Sequence, residues 1–110
     1  MALTLSAITL NSADPRRTAA FWTDALGGSW RDGGNGYLHV LGGQVLLIVQ
    51  PAADRVTGPT DVHLDLNADD PAHEVARLVA VGAELVAERS DSHGSWTVLR
   101  DPDGREFCVA

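Results

Sequence analysis

Moving the second half of this 110-residue chain back by 56 positions lays it on the first half. Leu66 falls on Leu10, Asn67 on Asn11, Asp70 on Asp14, Pro71 on Pro15 and Ala76 on Ala20. Five matches in one ungapped register point to a duplicated unit. Each copy of the matched stretch has the same physical form. In Asp61–Pro71, Val62, Leu64 and Leu66 alternate with His63, Asp65 and Asn67, the period of a strand with one apolar face. Asp70 then stands where a helix cap belongs, and Pro71 takes the first helical position, where its missing N–H costs nothing. Ala7–Pro15 repeats this pattern around Leu10, Asn11, Asp14 and Pro15.

Between and after these helix entries the chain reads as short strands. In the first half, a strand from Leu3 to Leu10 precedes a helix from Pro15 to Leu26. That helix carries Thr18, Phe21, Trp22, Ala25 and Leu26 on one stripe, and Gly27-Gly28 stops it. Strands over 29–31, 37–41 and 44–50 follow, with Asp32–Gly36 and Gly42-Gly43 as turns. The second half repeats the order. It has a strand within 61–66, then a helix from Pro71 to about Val81 with Val75, Leu78 and Val79 buried, and strands over 83–88, 95–99 and 105–109. Arg100–Gly104 is the last turn. The spacing predicts an α+β chain of two βαβββ modules, 1–50 and 61–110, joined by an aperiodic connector over 51–60. Halves this small are poor folding units alone, so they are expected to share one core as a single domain.

Composition removes several functions. The net charge is −7 and all eight basic residues are arginine. An acidic chain without a basic stripe is a poor nucleic-acid binder. A chain without lysine has neither Schiff-base chemistry nor a P-loop lysine. No apolar run reaches the roughly 20 residues of a membrane span, and the start lacks the features of a signal peptide. The single cysteine, Cys108, excludes an internal disulfide and fits a reducing cytoplasm.

With two helices on one side of the strands, the other side carries Thr9, Asn11, His63, Asp65, Asn67, Glu106 and Cys108. Such a mixed face suits the lining of a cleft. His63 shares it with Asp65, a carboxylate able to fix the imidazole tautomer. Glu106 is a candidate acid or base, set against a solvent-facing role. Cys108 reads first as a small buried hydrophobe and only last as a nucleophile. Trp30 and Trp96 are candidates for stacking on a flat ligand, although the parity of Trp96 and the place of His39 stay open. His73 and His93 read as exposed.

The doubled unit, the paired Asn-x-x-Asp-Pro helix entries and the ending Asp101-Pro-Asp-Gly-Arg-Glu-Phe-Cys108 resemble the vicinal oxygen chelate superfamily. That group includes glyoxalase I, bleomycin-resistance proteins and extradiol dioxygenases. The resemblance implies a curved eight-stranded mixed sheet around a cleft, helices on its outer face, and a homodimer. It also implies metal ligands, typically histidine, glutamate, histidine and glutamate, on the first, fourth, fifth and eighth strands. Only His63 holds such a place as expected. Ala7 stands in the first strand, Val45–Val49 has no donor, and Cys108 replaces the last glutamate. No metal and no other cofactor is therefore expected. The expected function is metal-independent binding of a small organic ligand, with catalytic candidates His63, Asp65 and Glu106 and binding candidates Thr9, Asn11, Asn67, Trp30, Trp96 and Cys108. The alternatives are a metal-free acid/base isomerase or lyase, a metal-dependent enzyme with an atypical ligand set, and a regulatory dimer with a filled cleft.

Overall fold

A computed structural model of the protein describes residues 5–53 and 62–110. Leu3 and Thr4 of the expected first strand, most of the connector and Asp61 lie outside the described residues. The chain divides into two compact units, Met1–Arg55 and Val56–Ala110. Each unit carries one helix and a four-stranded mixed sheet, so the eight strands stand as two sheets of four.

The first unit runs β1 (Ala7–Ser12), α1 (Pro15–Leu26), β2 (Ser29–Gly34), β3 (Tyr37–Leu41) and β4 (Leu46–Pro51). The sheet order is β1-β4-β3-β2, with β1 parallel to β4 and the remaining pairs antiparallel. A strand–helix entry followed by a meander produces this order, because β1 reaches its parallel partner only across the helix. Asp14 caps α1, its carboxylate accepting the Arg17 N–H, and Gly27 closes the other end. Phe21 and Trp22 of the helix stripe are buried and meet edge to face, with ring centroids 5.2 Å apart. Leu10, Ala19, Leu38, Val40, Leu47 and Val49 complete the buried apolar set of this unit among the described residues.

Several strand boundaries differ from the sequence reading, β1 running Ala7–Ser12 and β4 starting at Leu46, and two of the differences fall at connections. β2 continues through Asp32 to Gly34, leaving only Asn35 and Gly36 as the turn, both with positive φ (55° and 83°). Two such residues make the tight hairpin connection that matches strand twist. Pro51 belongs to β4 instead of the connector, and the Ala52 N–H donates to the Ser12 carbonyl beyond it.

The second unit repeats the plan with β5 (Leu64–Leu66), α2 (Pro71–Ala80), β6 (Glu84–Asp91), β7 (Gly94–Arg100) and β8 (Glu106–Val109). Its order, β5-β8-β7-β6, is the same topology. Asp70 caps α2 by accepting the His73 N–H. Leu78 is the buried residue of α2, whereas Val79 is 44% exposed, which corrects its expected place on the buried stripe. One residue along a helix turns the side chain by about 100°, and that carries Val79 off the packed side. β5 is short: Val62 and His63 precede it, and Val62 is exposed. Phe107, Leu99 and Val109 are almost fully buried and form the apolar centre of this unit.

The β7–β8 turn is held by charge. Arg105 pairs with Asp101 and Asp103, and all three are buried. Asp101 also accepts the backbone N–H groups of Asp103 and Arg105, each at 3.0 Å. Among the described residues no helix is long and apolar enough to cross a membrane.

Candidate functional site

In the second unit, strand register sorts the side chains into two faces. Leu64, Phe107 and Leu99 are register partners across β5, β8 and β7, and they form the apolar row. Asp65, Cys108, Val98 and Ala87 are partners across all four strands and point to the other face. Arg100 pairs with Glu106 and Glu84 one row further along that face. A bulge between Leu85 and Ala87 resets β6 so that Glu84 meets this row. Trp96 shares parity with Val98 and Arg100, which settles its face.

On this polar face three chemistry-bearing groups come together. His63 enters just ahead of β5, and its Nε2 stands 3.2 Å from Asp65 Oδ1. One ligand atom each from His63, Asp65 and Cys108 lie within 4.8 Å of one another. His63 and Asp65 are exposed and Cys108 is half-buried, so the group is open to solvent. Burial pushes the Cys108 thiol above its ordinary value, and the charges of Asp65 and then Glu106 push it further. Each effect penalises a negative sulfur. The thiol is therefore poorly placed as a nucleophile.

Glu106, expected as an acid or base, is engaged by Arg100, with Nη2 3.4 Å from Oε2. Arg100 also reaches Glu84 at 3.5 Å. Sequence reading missed Arg100. Its signal was its place opposite Glu106 across the Asp101–Gly104 turn, which makes the two direct register partners. Asn67 follows β5 and is exposed, beside the bonds by which Leu66 and Ala68 hold Ala110.

Thr9 and Asn11 stand on the corresponding face of the first unit. Thr9, Ile48, His39 and Arg31 form one row there. Asn11 accepts a hydrogen bond from Gln50 at 3.0 Å. Trp30 does not join them. It pairs with Val40 on the apolar face, and the Arg16 guanidinium of α1 sits over its ring, 5.6 Å from the centroid. The part-buried indole therefore stands on the helix side of its sheet, away from the row of Thr9.

The metal set implied by the resemblance lacks most of its donors here. Ala7 has no donor atom, and β4 offers only Leu46, Ile48 and Gln50 on that face, with the Gln50 amide already used by Asn11. The four-ligand, two-module arrangement for a hard cation does not fit this chain. What it does contain is a nitrogen, oxygen and sulfur set confined to the second unit.

The sequence profile of the Glyoxalase-like domain matches residues 7–110, and the chain belongs to that family. Solved structures share its fold. A glyoxalase/bleomycin resistance protein/dioxygenase family enzyme from Burkholderia phytofirmans PsJN superimposes with a TM-score of 0.82 at 17% identity, covering 97% of both chains. The fosfomycin resistance protein FosX from Listeria monocytogenes superimposes with a TM-score of 0.83 at 22% identity, over 99% of this chain and 90% of its own. A mutant of that FosX, complexed with Mn(II) and 1S,2S-dihydroxypropylphosphonic acid, gives 0.80 at 18% identity, over 99% and 89%. No curated protein matches the sequence.

Proposed function

We propose that this protein binds a small organic molecule on the polar face of its second unit. The ligand is held by the chain's own side chains and does not depend on a four-ligand centre for a hard cation. The observation that carries this reading is the convergence of His63, Asp65 and Cys108 on one face, with Trp96 on the same side. A few polar groups gathered beside an aromatic surface is the usual make-up of a small-molecule site. The family and the acidic, lysine-free composition support the same class of partner. A homodimer and a cytoplasmic location belong to this reading, on the family resemblance and the single cysteine.

The test is a fragment library screened by NMR against chelator-treated protein. Chemical-shift changes gathered on β5, β7 and β8 support the proposal, and His63→Ala or Asp65→Asn should abolish them. Shifts scattered over the surface, or none, would remove it.

One observation favours a second reading. The contact between His63 Nε2 and Asp65 Oδ1 holds one ring nitrogen as the donor and leaves Nδ1 as a base. This is the arrangement of a metal-free isomerase or lyase that moves a proton beside a carbonyl. Acid/base groups of this kind contribute about 10²–10⁴-fold. In that case His63→Ala loses turnover on that scale, with a smaller loss for Asp65→Asn. Equal turnover in His63→Ala excludes the reading.

A further inference from the structure

On the side of the first unit's sheet turned away from α1, Thr9, His39 and Arg31 stand in one row with Ile48. Among the described residues, none of these three polar side chains has a hydrogen bond or an ion pair. We propose that Arg31 and His39 bind the carboxylate of a small organic acid whose apolar body lies over Ile48. The site belongs to the first unit alone and stands apart from the ligand reading of the second.

His39 is half-buried, and its Nδ1 is sealed from solvent without a hydrogen-bond partner. A buried polar atom in that state costs stability, so a histidine kept only to brace the sheet would have its nitrogens bonded. The other nitrogen, Nε2, lies against Gly33, where a Cβ would stand 2.5 Å from it. Gly33 sits at the bulge in β2, and the imidazole fills the room it leaves. The ring is thus laid toward β2, beside its direct register partner Arg31. Opposed side chains on antiparallel strands start about 4.5–5.5 Å apart at Cβ, close enough for a guanidinium and an imidazole N–H to donate to one carboxylate.

Charge selects an anion. The chain carries −7, and Arg17, Arg77, Arg100 and Arg105 are paired with carboxylates, while Arg16 lies over Trp30. Arg31 is exposed and unpaired. Along β1, β3 and β4 the alternate positions on this side hold no aspartate or glutamate, and Asp32, the acid of β2, turns to the Gly34 N–H. One positive charge therefore stands without a competing carboxylate, the reverse of the second unit's polar face with Asp65, Glu84 and Glu106. Apolar surface sets the rest of the molecule. Ile48 follows His39 in the row, and Leu46 and Leu41 lie on the same side one position along. From Arg31 to Ile48 is two strand spacings, about 10 Å, the reach of a carboxylate with a tail of about five carbons.

The probe is hexanoate, titrated into the full isotope-labelled chain at constant ionic strength, with acetate and hexylamine for comparison. Saturable NMR shifts should gather on β2, β3 and β4 and include the His39 ring nitrogens. Hexanoate should bind at least about tenfold more tightly than acetate, at roughly two- to fourfold per added methylene. Hexylamine should not saturate. Arg31→Gln should weaken hexanoate binding by about fivefold or more, and Arg31→Lys by less. Gly33→Ala leaves every charge in place but displaces the imidazole, so it should weaken binding and abolish the shift of the His39 ring. Arg89→Gln, which changes an exposed arginine of the second unit, should alter nothing. Circular dichroism checks each variant, and Arg31, exposed on an edge strand, keeps the test valid if Gly33→Ala does not fold. Equal affinity for acetate and hexanoate, saturation by hexylamine at the same residues, or unchanged affinity in Arg31→Gln would each overturn the proposal. Hexanoate shifts confined to β5, β7 and β8 would overturn it too, and would leave the second-unit reading in place.

Discussion

Asp65 and Cys108 face each other as direct partners in the parallel pairing of β5 with β8, a carboxylate beside a thiol. Burial raises the Cys108 pKa most, followed by the charge of Asp65 and then that of Glu106. Only the thiolate reacts with alkylating agents, so a raised pKa slows the reaction at any pH below it. In cation-free protein, the pH profile of iodoacetamide modification should have its midpoint above that of free cysteine. Asp65→Asn should move the midpoint down, and Glu106→Gln should move it down by less. The sign for stability follows. The folded value lies above the unfolded one, so this contribution is complete below the unfolded pKa and is lost as pH rises through the folded pKa. Denaturant titrations should show a loss of stability on the alkaline side that Cys108→Ala reduces.

The Asp101–Asp103–Arg105 cluster makes the opposite use of charge. Two carboxylates and one guanidinium are buried together in the β7–β8 turn. Removing one partner of a buried ion pair strands the rest in a poor solvent for charge, at a cost of about 3–5 kcal/mol. Arg105→Met should destabilise the protein on that scale in urea. Arg105→Lys should recover only part, because an ammonium lacks the planar fork that serves both carboxylates. A change below 1 kcal/mol, on the scale of exposed pairs, would mean that the cluster is solvated.

The two helix caps repeat in structure as they do in sequence. Asp14 accepts the Arg17 N–H at 3.3 Å and Asp70 accepts the His73 N–H at 3.2 Å. Replacing an aspartate cap with alanine costs about 1 kcal/mol, and asparagine caps nearly as well. Asp14→Ala and Asp70→Ala should therefore lose similar amounts in urea denaturation, with both asparagine variants close to the parent. A large difference between the two would show that the repeat is one of sequence and not of energetics.

These caps were legible because the information is local: aspartate, proline and an apolar period lie within a few residues. The same holds for the parity of Thr9 against Leu10 and of His63 with Asp65, where strand alternation suffices. Other features depended on which strands pair. Cys108 meets Asp65 only through a parallel contact between strands 43 residues apart (108 − 65). The parity of Trp96 waited on its partner Arg89, and the shared Arg100 contacts waited on a bulge in β6. The run Asp32–Gly36 misled in another way. Its composition reads as a turn throughout, yet Asp32 accepts the Gly34 N–H at 2.7 Å and β2 extends to Gly34. At the candidate site, single residues were readable and their meeting was not.

Trp30 shows how strand pairing decides what alternation leaves open, and it supplies a last test. Strand β2 is short and polar, so alternation gives its tryptophan no clear side. Pairing with Val40 puts it on the apolar face, where Arg16 lies over the ring. A cation above an indole contributes about 0.5–1 kcal/mol at an exposed site. In a Trp96→Phe background, Arg16→Ala should therefore lose about that much stability and make Trp30 more open to acrylamide quenching. Trp22 is fully buried and should contribute a constant, unquenched signal. With Trp96 restored, a fragment bound near Cys108 should alter the Trp96 emission and leave that of Trp30 unchanged, since the two indoles stand on different faces of different units. A ligand response that survives Trp96→Phe and vanishes in Trp30→Phe would place the ligand at the first unit's apolar face, contrary to the proposed site.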